Sequence, residues 1–354
     1  MTSNIRLVLA LVLVLVPGCA KKESPSSVIT GPDTAKPLKI GYVLHGLNDF
    51  TQVIKKGAED AGKALKVEVT VNGPAGFKAT DGIAMFEGMV QQHKDGLAVV
   101  PMPGPLWVRP IGSAVDAGIP VVTANFISPE SKSAAWFGQD EYKSGVILGG
   151  KIKDLLIAQK IETGKIVIGI CVPGEAVLTD RYKGVKKAFE GSKFTVTDPY
   201  DVKVENTANY SQWENLASAN RDMVAAIGLC SMDIPNMAKV KKRSSGKWLI
   251  GGYDLNLESL DAIKDGTAQI TLGQHPYLQG YLPILALVQH LRDGKPLVKG
   301  WIDVGTEVVT KENADSVYDR EANEDSETKW YADYVSKNFA DLEKVTHAAL
   351  PHPE

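Results

Sequence analysis

The sequence predicts an α/β protein made of two successive parallel-sheet halves. Short uninterrupted apolar runs, such as LKIGYVL (38–44) and IPVVTA (119–124), have the character of strands buried on both faces. Amphipathic stretches separate them: within 52–66, Ile54, Ala58, Ala61 and Leu65 share one helical face. After AAWFGQDEYKSG the same alternation begins again, so one α/β unit follows another.

In order, the first half reads as strand 38–44, helix 52–66, strand VEVTV (67–71), a helix around 80–94, strand GLAVVP, a helix near 106–117 and strand IPVVTA. The second half reads as helix 142–159, strand KIVIGIC (165–171), helix 176–190, strand FTVTD, helix 210–223 and strand VAAIGLC (224–230). Helix 233–243, strand KWLIGGYD, helix 256–265 and strand TAQITLG complete it. An amphipathic helix (277–292) and a strand (301–309) follow both halves, which implies that the chain crosses between them more than once. The acidic run KENADSVYDREANEDSE and the segment WYADYVSKNFADLEKV read as a connector and a peripheral helix.

Residues 1–18 form a secretion signal: one arginine, then the apolar run LVLALVLVLV, which is too short for a bilayer that needs roughly twenty residues. The VPGC that ends it resembles a bacterial lipobox, which implies cleavage before Cys19 and diacylglyceryl modification of its thiol. Residues 19–37, rich in Ser, Pro, Lys and Thr, read as a flexible tether, with the mature body beginning near Leu38 outside the cytoplasmic membrane. The 354 residues carry a net charge of −3, and the one dense basic cluster, KVKKRSSGK (239–247), sits at a helix end where a solvated face explains it. No nucleic-acid partner is expected.

Ligands of open parallel sheets gather beyond the carboxyl ends of the strands. There this chain places HGLNDF, PMPGPLW, TANF, GQDE, PGEAVLTDR, SMD, YDLN and GQHPY. Asn, Asp, Gln, His and Arg alternate with Phe, Trp and Tyr, the mixture that pairs with sugar hydroxyls and covers C–H faces. Each residue has a plainer explanation as well. Asp254 could cap the helix that follows it, Asn48 and Asp49 suit capping of a helix from Thr51, and Phe50, Phe126 and Tyr210 would serve equally as core. Histidines at metal-ligand spacing, CxxC pairs, GxSxG elbows and phosphate loops are all missing, so neither an enzyme nor a cofactor or metal is expected. Cys171 and Cys230 each end a predicted strand; with strand order 2-1-3 they fall within disulfide reach, and two buried free thiols are the other reading.

The stretches IGGYDLNLESLDAIKDGTAQITLGQHPYLQGYLPILALVQHLRDGK and VLHGLNDFTQVIKKGAEDAGKAL resemble the ribose-binding type of periplasmic binding protein. That resemblance, weaker but continuous from Leu38 to about Thr310, implies two doubly wound lobes joined by a three-strand hinge. The lobes would be 38–139 plus 276–302 and 141–273 plus 304–325, with 326–354 a C-terminal helical extension. It implies ligand contacts from Asp254, Gln274, Arg181, His45, Asn48, Asp49, Phe50, Gln139, Tyr210 and either Ser231 or Asp233. Asn125 and Phe126 stand where ribose binders have aspartate and arginine, a departure from the ribose pattern.

The function implied is capture of a small sugar, polyol or related molecule for an ABC-transporter permease, by a monomer held at the periplasm or cell surface through its lipid. A sensory lipoprotein presenting its closed form to a membrane kinase or chemoreceptor is the alternative.

Overall fold

The computed structural model describes residues 37–349. The signal segment, Cys19 and the tether up to Lys36 lie outside the described residues.

The first half runs β1 (Lys39–Val43), α1 (Asp49–Leu65), β2 (Glu68–Asn72), α2 (Ala79–Gln91), β3 (Gly96–Val99), α3 (Val108–Asp116), β4 (Val121–Ala124) and β5 (Ala135–Gly138). The second starts with α4 (Glu141–Ala158), β6 (Thr163–Ile170), α5 (Ala176–Ala188), β7 (Lys193–Val196), β8 (Tyr200–Asp201) and α6 (Asn206–Ala219). It continues with β9 (Met223–Gly228), α7 (Asp233–Ser244), β10 (Leu249–Tyr253), α8 (Leu257–Lys264) and β11 (Ile270–Gly273). The chain returns through α9 (Pro276–Leu291) and β12 (Gly300–Asp303), crosses to β13 (Glu307–Val309), and ends with α10 (Ala314–Glu321), α11 (Glu324–Asn338) and β14 (Thr346–His347).

Two sheets result, ordered β14-β12-β5-β4-β3-β1-β2 and β13-β11-β10-β9-β6-β7, with β8 also paired to β6. Every ladder is parallel except those of β14 on β12 and β13 on β11. The predicted α/β class with two parallel-sheet lobes is what the chain adopts. Its apolar runs explain why: β3, β4, β5, β10 and β11 are buried along their whole length, as strands covered by helices on both faces must be. In the first lobe α1 and α9 meet through glycine, since a Cβ on Gly57 would lie 2.0 Å from the Tyr277 carbonyl oxygen and one on Gly280 1.9 Å from that of Ile54.

Three crossings connect the sheets, at 139–140, 274–275 and 304–306. The third corrects the reading of 301–309 as one strand. Gly305 adopts φ +87°, and its N–H donates to Asp303 Oδ1 at 2.8 Å, so a turn splits the run between the two sheets. The acidic stretch read as a connector is also more ordered than expected, because it forms α10 against α8, and the C-terminal end adds β14 to the first sheet.

This tail spans both lobes behind the hinge. Arg320 of α10 holds the Glu307 carboxylate of β13 at 2.8 and 3.1 Å. Tyr331 of α11 stacks on Tyr277 of α9 with ring centres 4.4 Å apart. Trp330 and Tyr334 pack around His275, the residue that turns the second crossing into α9 at φ +50°.

The basic cluster of 239–247 is largely paired within its own lobe. Lys239 meets Glu258, Lys242 meets Asp265 and Arg243 meets Glu214.

Candidate functional site

The loops past the strand ends of both sheets face one another across a cleft with an empty volume of ≈ 510 Å³, including its part open to solvent. That size suits a small ligand. Of the residues singled out in the sequence, His45, Asn48, Phe50, Asn125, Phe126, Arg181, Asp254 and Gln274 line it. So do Cys171 and Cys230, which are joined by a disulfide with Cα atoms 6.2 Å apart. The bond links the ends of the neighbouring strands β6 and β9.

Asp254 leaves β10 with φ +75°, a left-handed conformation uncommon for aspartate. Its N–H donates to the Leu272 carbonyl and its own carbonyl accepts from Thr271 Oγ1 at 2.7 Å, so the turn is fixed from β11. Capping of α8 falls to Asn256, whose Oδ1 accepts from the Ser259 N–H at 2.9 Å. Asp254 is thereby released from the cap role. Its Oδ1 accepts from Gln274 Nε2 at 2.8 Å, and among the described residues nothing donates to its Oδ2. Burial pushes its pKa up to about 6, while the Arg181 charge and the Gln274 hydrogen bond act in the opposite direction. At neutral pH it is a buried, ionised acceptor.

Gln274, on the second crossing, is the junction of the site. Its Oε1 accepts from Asn125 Nδ2 at 3.2 Å and Arg181 Nη2 at 3.0 Å, and its carbonyl accepts from Gln279 Nε2 at 2.8 Å. Asn125, at φ +61°, spends its second amide hydrogen on Gln279 Oε1 at 2.9 Å. With both hydrogens used, what it offers the cleft is its carbonyl oxygen.

Arg181 is more constrained than the sequence suggested. Its Nε and Nη2 grip both oxygens of Glu141 at 2.6 and 2.9 Å, and Nη1 donates to the Leu229 carbonyl at 2.8 Å. Its guanidinium lies 4.1 Å from the centre of the Tyr253 ring. Desolvation would lower its pKa, but the Glu141 charge overrides this and raises it. Four of the five N–H donors are committed, so one remains for a ligand. Glu141 was not recognised in the sequence because an acid in the first turn of a helix has an ordinary electrostatic reason to be there.

On the first lobe Asn48 is both cap and wall. It forms a reciprocal capping box with Thr51 at 2.9 Å in each direction, through its Oδ1, which leaves its amide hydrogens free of that role. His45 is buried, its Nδ1 has no partner among the described residues, and burial lowers its pKa to about 4. It is therefore neutral at physiological pH. Phe126 meets it edge-on at 5.2 Å, and Phe50 lies 6.5 Å away.

Four sequence-predicted contacts lie away from the cleft lining. Asp49 is the exposed first residue of α1. Gln139 is fully buried at the first crossing, donating to Glu141 at 2.8 Å and accepting from Thr306 at 2.7 Å, so it serves the hinge. Tyr210 packs on the second lobe's outer core and bonds Arg243 at 3.2 Å. Asp233 is fully buried, accepting from Asn209 at 2.7 Å and from Trp213 Nε1 and the Cys230 N–H at 2.9 Å. Of the pair left open at that point, Ser231 is the one that lines the cleft.

The described residues include no helix long and apolar enough to cross a membrane and no group of three His, Cys, Asp or Glu that could hold a metal ion.

Comparison with known proteins sets this geometry in context. Residues 40–296 match the family described as periplasmic binding protein domain. The xylose/arabinose-binding protein XylF of Sulfolobus acidocaldarius is 26% identical over 298 residues, covering 78% of this chain and 71% of that protein. The ribose import binding protein RbsB of Bacillus subtilis is 26% identical over 287 residues, covering 80% and 91%. Among solved structures, an ABC transporter solute binding protein from Agrobacterium vitis with bound D-fucose aligns with TM-score 0.72 and 26% identity over 78% of this chain and 97% of that one. A carbohydrate transporter solute binding protein from Agrobacterium radiobacter in complex with D-arabinose aligns with TM-score 0.74 over 81% and 99%, at 20% identity.

Proposed function

Because the chain belongs to the periplasmic binding protein domain family, we propose that it is the extracytoplasmic solute-binding protein of a sugar ABC importer. The observation that carries this reading is Asp254: an ionised carboxylate at the end of β10 that lines the cleft, one oxygen fixed by Gln274 of the second crossing and the other without a donor among the described residues. An acceptor of that kind, in a cleft that Asn125, His45 and Phe126 also line, suits adjacent hydroxyls on a ring whose C–H face is covered by aromatic edges.

Capture works by differential stability. Hydroxyls that satisfy groups from both lobes stabilise the closed arrangement, and a solute that leaves one such group unpaired forfeits roughly 1 to 3 kcal/mol. The relatives' xylose, arabinose and ribose and the neighbours' D-fucose and D-arabinose direct attention to neutral pentoses and hexoses. The chain itself is not an enzyme in this reading. Residues 38–139 plus 276–302 and 141–273 plus 304–325 move as its two lobes, and 326–354 is an appendage to them. The closed form, a monomer, delivers its ligand to a permease while the diacylated Cys19 holds it at the membrane.

A thermal-shift screen of the mature chain over pentoses, hexoses, inositols and nucleosides tests the ligand class. A rise in melting temperature with at least one neutral sugar is expected, and no response across the panel would refute the proposal. Palmitate labelling of the full chain tests the anchor: label is expected in the wild type and its persistence in Cys19→Ala would disprove the assignment.

A further inference from the structure

A second depression adjoins the cleft and shares Met102, Cys171, Val172 and Val204 with it. Its first-lobe side is formed by Phe77, Met102 and Pro103, and its second-lobe side by Val172, Pro173 and Glu175. Glu175 is the informative residue. It stands at the N-cap of α5, yet its side chain makes no capping hydrogen bond. It is only 8% exposed, and among the described residues its carboxylate has neither a hydrogen-bond donor nor a counter-ion. The basic residue that lines the same depression, Lys203, is engaged with Asp201. Burial raises the Glu175 pKa to about 7. A desolvated carboxylate in this state gains more from an arriving donor than a solvated one does.

We propose that this depression is a second subsite that receives a further hydroxylated ring, so that the protein takes a disaccharide or glycoside whose first ring occupies the Asp254 cleft. Glu175 accepts hydroxyls of the outer ring, and Phe77, Met102 and Pro103 cover its C–H face. This assignment rests on the sugar-receptor reading and extends it from a single ring to a linked pair.

Calorimetry on the mature protein tests it with matched probes: D-xylose against xylobiose, D-glucose against cellobiose, and L-arabinose against arabinobiose. In the wild type at about pH 8, where Glu175 is ionised, at least one disaccharide is expected to bind about tenfold or more tightly than its own monomer, the scale of one charge-assisted hydrogen bond. Glu175→Ala should erase that advantage while leaving affinity for the monomer unchanged. Disaccharides that bind no more tightly than their monomers, or a Glu175→Ala variant that weakens monomer and dimer alike, would overturn the second subsite and leave the receptor reading intact. Absence of binding by every probe, single or linked, would overturn both.

Discussion

Asp254 owes its availability to a neighbour. Because Asn256 caps α8 and β11 fixes the Asp254 backbone, the carboxylate is aimed by hydrogen bonds that do not consume its second oxygen. Burial raises its pKa from 3.8 to about 6, so between those values the folded chain retains a proton that the unfolded chain has released. Its contribution to stability is thus full below about pH 4 and is lost as pH rises through about 6. Without ligand, Asp254→Asn is expected to melt progressively higher than the wild type as pH is raised from about 4.5 to about 7; a constant difference in scanning calorimetry would contradict the assignment. Glu141 carries a second prediction. Glu141→Ala leaves the Arg181 guanidinium buried without its counter-charge and should cost about 3 to 5 kcal/mol in urea unfolding, most of which Glu141→Gln combined with Arg181→Met should restore. At this scale the sequence disclosed much of the cleft, since residues immediately past strand ends are positioned by the sheet itself. It did not disclose that Asp233 is consumed by Asn209 and Trp213, because those donors sit on α6 and meet it only once that helix packs.

Among the elements, α10, α11 and β14 form a strap across the back of the hinge. One end grips β13 through Arg320 and Glu307, the middle stacks Tyr331 on α9, and the last strand pairs with β12. Tyr331→Ala removes a fully buried ring and should cost about 3 to 5 kcal/mol by analogy with other large aromatic truncations. In small-angle scattering, a chain ending at residue 312 should show a broader ligand-free distribution than the intact protein; identical profiles would assign the strap no part in restraining the lobes. The pairing of β6 with β9 likewise brings Cys171 to Cys230 across a separation of 59 residues. Loop-closure entropy for such a span is about 4 kcal/mol, so Cys171→Ser with Cys230→Ser should lower unfolding stability toward that extent, and the denatured, unreduced mature body should show no free thiol at either position. The central strands and most helices were legible from periodicity. Strand β14 was not, because two residues carry too little pattern, and the break within 301–309 was not, because a turn at Gly305 interrupts a run that otherwise reads as continuous.

Across the whole molecule, one polar chain ties the hinge to the cleft. Thr306 on the third crossing donates to Gln139 on the first, Gln139 donates to Glu141, Glu141 holds Arg181, and Arg181 donates to Gln274 on the second. Gln274 then reaches Asn125 of one lobe and Asp254 of the other. A ligand that donates to Asp254 therefore acts on a group linked to all three crossings, which is the physical basis for coupling capture to the relation between the lobes. Titration calorimetry tests this most directly, using whichever neutral sugar stabilises the wild type most, against wild type and Asp254→Ala. Loss of two charge-assisted hydrogen bonds predicts an affinity at least about a hundredfold weaker in the variant. Equal affinity in the two proteins would contradict the account.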